Sequence, residues 1–243
     1  MDKEGNMENL NRRRFLKTIG HVATAVVAVV SVGGGCSTSK KRPNILFALS
    51  DDQTWKHAGA YGCRFVATPA FDRVASEGVL FNNAFCCAPQ CSPNRASLLT
   101  GRHIWQNEEA GVHASNFPKK LKVFTDELEK GGYFIGTTGK PWGPGNWEIS
   151  GWTRNPAGPA FNEQMYEEAP EPGLSRTNYA ANFADFIEQK PKDKPFFFWY
   201  GAHEPHRVYK DGIGLERGKK LADVEVPEFL PDDPIIRSDL LDY

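Results

Sequence analysis

Short apolar runs separated by longer amphipathic stretches set the rhythm of this chain. Asn44-Ile45-Leu46-Phe47-Ala48-Leu49, Tyr133-Phe134-Ile135-Gly136-Thr137-Thr138 and Phe196-Phe197-Phe198-Trp199-Tyr200 each have the length of a strand. They do not alternate apolar with polar, so each is expected to be buried on both faces, as in a parallel sheet covered by helices. Between them the spacing turns helical. Thr68-Pro69 reads as an N-cap with proline in the first turn, Phe71, Val74 and Ala75 share one face, and Gly78 closes the helix. Val79-Leu80-Phe81 reads as a further short strand. A helix over 125–130 is closed by Gly131-Gly132. Tyr179, Phe183, Phe186 and Ile187 repeat at helical spacing, with Asp185 and Glu188 opposite. Strands alternating with helices predict an α/β layered fold. Residues 141–172, rich in Gly, Pro, Asn and Trp, lack helical periodicity and are expected to form a long surface loop suited to substrate contacts.

Composition narrows the picture little. The 243 residues carry a formal net charge of -1, which gives no support for a nucleic-acid surface. The five cysteines are an odd number without paired C-x-x-C spacing, so neither a disulfide framework nor a zinc site is read here.

The first residues read as an address rather than as part of the fold. Asn11-Arg12-Arg13-Arg14-Phe15-Leu16-Lys17 is a basic segment resembling a twin-arginine signal, and an apolar stretch over 18–32 follows it. Gly33-Gly34-Gly35-Cys36 resembles a lipoprotein cleavage box, with Gly33 where that box usually carries Leu. Ordinary cleavage nearby, with Cys36 incidental, is the alternative. The expected organisation is an export signal over 1–36, a linker over 37–42 and a folded part over 43–243, placing the protein in the periplasm or anchored at the cell surface.

Four segments close strands or open helices with polar groups: Asp51-Asp52-Gln53, Cys91 to Arg95, Lys140, and His203-Glu204-Pro205-His206. In an open α/β sheet, ligands gather at the carboxyl ends of the strands. Adjacent carboxylates suit a hard cation, which offsets their mutual repulsion. Taken alone, each residue reads first as something plainer: Asp52 as a turn cap with Asp51 facing water, Cys91 as a small buried hydrophobe, Lys140 as a surface lysine and His203 as a hydrogen-bonded core histidine.

The context of Cys91 changes that balance. Cys91-Ser92-Pro93-Asn94-Arg95, followed by Thr100-Gly101-Arg102, resembles the sulfatase signature C-x-P-x-R with T-G-R beyond it. In that family a maturase oxidises the cysteine to formylglycine, and the hydrated aldehyde is the nucleophile toward sulfur. The resemblance runs from about Arg42 to the end. It implies an alkaline-phosphatase-like α/β fold with a largely parallel or mixed sheet, and a divalent cation, Ca²⁺ ahead of Mg²⁺, held by Asp51, Asp52 and Cys91. It also implies that Arg95 binds sulfate and holds formylglycine in place, that Lys140 binds sulfate, and that His203 contacts sulfate and protonates the leaving group. His206 is given a supporting or structural place, and Arg102 reads equally as an ion-pair partner. The implied partners are a sulfated glycan and the maturase, with the membrane reached only through a lipid anchor.

Two positions depart from the family pattern. Asn94 stands where Ser is usual. Trp142 stands where the family's Lys-x-His places a histidine, which leaves one role unfilled, with His103 a substitute suggested only by its place in the sequence. Trp105-Gln106-Asn107-Glu108, His203 to Arg207, Val226 to Pro231 and Ile235 to Leu240 resemble the sulfamidase branch, which cleaves N-sulfate from glucosamine of heparan-type glycans. Residues 239–243 read as the middle of a helix without a stop signal. The chain is therefore expected to be the N-terminal portion of a sulfatase, weakly active or inactive alone. The competing readings are a metal-dependent phosphoesterase of the same superfold, which would carry Ser or Thr in place of Cys91, and a sulfatase-like glycan-binding protein that has lost catalysis.

Overall fold

The structure, a computed structural model, describes residues 42–243. The expected export signal, the Cys36 box and the linker up to Lys41 lie outside the described residues. Among the described residues, no helix is long and apolar enough to cross a membrane.

The three apolar runs form the strands β1 (Ile45–Leu49), β2 (Phe134–Gly139) and β3 (Phe196–Gly201). They make one sheet in the order β1-β3-β2, with both pairings parallel. The helices are α1 (Pro69–Glu77), α2 (Cys91–Thr100), α3 (Phe124–Lys130), α4 (Tyr179–Gln189), α5 (Ile213–Glu216) and α6 (Pro234–Asp242).

The sheet is covered on both faces because β3 is apolar on both. Phe197 and Trp199 point into a buried cluster with Ala96 and Leu99 of α2, Val123 and Ile135, against which Phe124 and Leu128 of α3 pack. Phe198 faces the other way, with its ring centroid 4.6 Å from Phe186 and 4.9 Å from Phe183 of α4. Gly136 is what lets α4 approach: a Cβ there would lie 2.6 Å from the Phe186 ring. Asn178 starts α4 by accepting the Ala181 N–H at 3.0 Å.

Several expectations fail for identifiable reasons. β1 is an edge strand with one neighbour, and Leu46 on it is 55% exposed, so its apolar run is covered on one face only among the described residues. Residues 79–81 form no strand; Val79 and Phe81 are exposed and pair with nothing in the sheet. The apolar side of α1 is open too, with Val74 70% exposed. The segment 141–172 is not a surface loop throughout. Trp142, Trp152 and Ala157 are core residues, and Trp152 Nε1 donates to the Phe117 carbonyl at 3.0 Å. Its tryptophans supply the apolar volume that a periodic helix would otherwise supply, which is why the segment packs without periodicity.

Candidate active site

The strand register builds the site. Leu49, Gly201 and Gly139 lie level across the sheet. The next residues therefore leave the same edge together: Ser50-Asp51 from β1, Ala202-His203 from β3 and Lys140 from β2. Main-chain bonds continue the ladder past the strands, from Ala202 N–H to the Leu49 carbonyl, Lys140 N–H to the Gly201 carbonyl, and Asp51 N–H to the Glu204 carbonyl. The last two strand residues must be glycine. A Cβ on Gly139, at φ +72°, would sit 2.1 Å from the Gly201 carbonyl oxygen, and one on Gly201 would sit 2.1 Å from the Lys140 oxygen.

Cys91 is the first residue of α2, so the helix begins at the cysteine itself. Its Sγ lies 3.4 Å from Lys140 Nζ. Ser92 fixes the start of α2 by donating to the Pro144 carbonyl at 2.5 Å, and Gly101 ends the helix in the left-handed conformation. Arg95, one turn into α2, is buried. It donates to Asp51 Oδ1 at 3.2 Å and to the Lys140 and Pro141 carbonyls at 2.5 and 2.9 Å. Lys140 Nζ donates to the other Asp51 oxygen. Burial pushes the Asp51 carboxyl up, but the Lys140 and Arg95 cations beside it outweigh this and hold it below the ordinary range.

Asp51, Lys140, Ser175, His203, Glu204, His206 and Arg207 line one cavity of about 270 Å³. Burial lowers the His203 pKa, the Glu204 carboxylate pulls it back up, and the Lys140 cation lowers it further. His206 comes closer to the cysteine than the sequence suggested. Its ring, Asp51 and Cys91 Sγ offer ligand atoms within 4.8 Å of one another. His206 Nδ1 meets the Arg207 carbonyl at 2.7 Å, which selects the tautomer whose Nε2 is free of the proton.

Of the sequence-derived residues, the structure brings Asp51, Cys91, Arg95, Lys140 and His203 together. Arg95 is turned onto Asp51 and the main chain, not into the cavity. Asp52 is exposed at φ 60° and stands outside the Asp51–Cys91–His206 group. Trp142 is 2% exposed and packs edge-on against Phe117 at 5.0 Å, in the core. His103 stacks on Trp105 at 4.4 Å and does not line the cavity. His206 was the residue to find, and its signal was the second histidine of His203-Glu204-Pro205-His206, three residues past the strand end.

The donor set fits a divalent cation in part. The Cys91 thiol offers a sulfur, a soft donor that suits a hard cation poorly. Beside it stand one carboxylate, Asp51, already shared by two cations, and one imidazole. A Ca²⁺ shell takes six to eight oxygens, more than these residues supply.

The family model described as "Sulfatase" matches residues 43–219. The chain is 30% identical over 193 residues to an N-acetylglucosamine-6-O-sulfatase of Bacteroides thetaiotaomicron, covering 75% of this chain and 34% of that protein. It is 31% identical over 242 residues to human N-sulphoglucosamine sulphohydrolase, covering 89% and 46%. A protein whose structure was solved in complex with its substrate, D-glucosamine-2-N,6-O-disulfate, superimposes with a TM-score of 0.56 and 25% identity over 73% of this chain and 38% of that one. A putative sulfatase of Bacteroides fragilis gives a TM-score of 0.58 at 22% identity, over 82% and 55%. The chain thus spans less than half the length of these curated relatives. With the matching domain covering most of the described residues and the cysteine helix set against one strand edge, the chain belongs to the sulfatase family.

Proposed function

We propose that this chain carries the nucleophile-bearing part of a sulfatase that hydrolyses sulfate esters or N-sulfate groups on sulfated glycans. The observation that supports it most is the contact of Cys91 Sγ with Lys140 Nζ at 3.4 Å, beside an Asp51 held ionised by two cations. A thiol kept only for packing has no need of that company. The relatives named for N-acetylglucosamine-6-sulfate and N-sulphoglucosamine support the substrate class.

Formylglycine, formed from Cys91 by a maturase, would supply the nucleophilic hydroxyl of a hydrated aldehyde. A divalent cation, Ca²⁺ ahead of Mg²⁺, would be held by Asp51 and the Cys91 position, with His206 within 4.8 Å of both and Asp52 a donor only if its exposed carboxylate turned inward. It would add positive charge against the sulfuryl oxygens. The chain's own residues do the rest. Lys140 binds a sulfuryl oxygen and stabilises the charge that develops there. Arg95 fixes α2 against the strand edge, so that residue 91 meets Lys140 at a set distance. His203, which lines the cavity beside Lys140, is placed to pass a proton to the departing alcohol or amine. Export to the periplasm or to an anchored surface position would place the enzyme where such glycans are met.

The test is the mass of the peptide carrying Cys91, from protein made in a host that has the maturase. Conversion of the thiol to the aldehyde is expected. An unmodified thiol in every copy would reject the proposal in favour of a binding protein.

A further inference from the structure

One phenol joins the two sulfate-facing segments. Tyr179, the first residue of α4, donates its hydroxyl proton to Glu204 Oε2 at 2.8 Å and accepts the His203 N–H at 3.0 Å. The same ring lies against the backbone just before Lys140: a Cβ on Gly139 would be 2.7 Å from Tyr179 Cε1. The other Glu204 oxygen, Oε1, accepts the Ser175 N–H at 2.8 Å, and Ser175 lines the same cavity. The ring is held from behind by Tyr200 of β3, edge-on at 5.1 Å. Burial and the neighbouring Glu204 carboxylate both raise the phenol's pKa, so it stays protonated and remains a donor at any working pH.

We infer that Tyr179 is a positioning residue of the active site: its hydroxyl sets the main chain of His203, and through Glu204 it ties that chain to the 173–175 wall of the cavity. A polypeptide leaving the end of a parallel strand has no ladder partner of its own. Here the His203 N–H gains its partner from the first residue of α4, so the main chain that carries the imidazole is held by one further bond. A group that must donate a proton in the transition state depends on such placement, because proton transfer falls off steeply with misalignment. This inference rests on the sulfatase reading for its function but not for its geometry.

The test uses the full chain carrying Tyr179→Phe, which keeps the ring on Gly139 and Tyr200 and removes only the hydroxyl. Tyr200→Phe, in the same aromatic layer, is the control and is expected to behave as the unsubstituted chain. Amide hydrogen exchange reads the bond: exchange at His203 is expected to rise about tenfold, while Trp199 within β3 is unchanged. Unchanged exchange at His203 overturns the inference. Turnover reads the role. A sugar sulfate, whose leaving alcohol needs the acid, is expected to lose about tenfold in kcat with little change in KM, and an activated aryl sulfate less than about threefold. An equal loss on both substrates overturns the positioning role in favour of general destabilisation. No turnover by the unsubstituted chain is what a portion of a sulfatase would give; His203 exchange then decides the inference alone, and the mass of the Cys91 peptide decides the sulfatase reading separately.

Discussion

Arg95 Nη2 and Asp51 Oδ1 meet at 3.2 Å with their side chains only 2% and 4% exposed, which makes this pair the joint between the cysteine helix and the first strand. A buried pair of this kind contributes modest net stability, but breaking it strands a charge. Asp51→Ala is expected to cost about 3–5 kcal/mol, because Arg95 and Lys140 both lose their carboxylate. Arg95→Lys is expected to be nearly as damaging. A single ammonium cannot serve Asp51 and the Lys140 and Pro141 carbonyls from one fork. Urea unfolding measures both, and a loss under about 1 kcal/mol for either would contradict the joint.

The same pair shows what could be read from sequence. The α/β alternation, the three strands and the strand-end clustering of Asp51, Lys140 and His203 followed from apolar runs and their polar ends. The Cys91 helix followed from a short motif. What sequence did not give was direction. Arg95 looked like a sulfate ligand because it is a cation one turn from the cysteine, yet its guanidinium points at Asp51. Asp52 looked like the equal of Asp51, yet its left-handed backbone turns it out to solvent. His206 looked structural, yet the chain folds back at 204–206 and brings it to Cys91. Each of these depends on the path of the main chain after a strand ends, which no periodicity encodes. The edge position of β1 was hidden for a related reason: an apolar run does not say on which side its neighbours lie.

Gly139 separates two costs that are often confused. At Gly62, φ +95°, an added Cβ meets nothing within 4 Å, so Gly62→Ala is expected to cost only backbone strain, about 1–2 kcal/mol. At Gly139 the strain is joined by collision with the Gly201 carbonyl and the Tyr179 ring. Gly139→Ala is expected to cost more than about 3 kcal/mol, and to displace Lys140 as well. Equal thermal shifts for the two variants would show that the close approach of β2 and β3 is not real.

Trp142 stands where the resemblance to the family's Lys-x-His pattern would place a histidine, and the obvious repair is Trp142→His. The structure argues that the repair fails. The side chain lies in the core against Phe117, away from the cavity. Trp142→His is therefore expected to lower stability by about 3 kcal/mol and to bring no gain in sulfate hydrolysis. Trp142→Phe is expected to be tolerated better, since the buried indole N–H has no partner among the described residues to lose. Calorimetry and sulfate release measure the two effects, and a rise in turnover for Trp142→His would place that position in the site after all.

His57 contributes to the loss of stability on the acid side. It is buried, its ring lies 5.3 Å from Phe65 and 4.8 Å from Tyr243, and among the described residues its Nδ1 has no hydrogen-bond partner. Burial lowers its pKa below the ordinary 6.5. Between the folded value and 6.5 the unfolded chain binds the proton and the folded chain does not, so stability falls as pH falls through that window. Above 6.5 both states are neutral and the penalty vanishes. Tyr243 cannot relieve it, because its hydroxyl is already committed to the Asp52 carbonyl at 2.7 Å and the Thr54 N–H at 2.9 Å. His57→Phe keeps an aromatic ring in the box and removes the titration. Its unfolding free energy is expected to change little above pH 7 and to gain on the unsubstituted chain steadily as the pH drops below 6.5, read from denaturant midpoints at each pH. Parallel curves for the two proteins across that range would show that His57 is free to protonate in the fold.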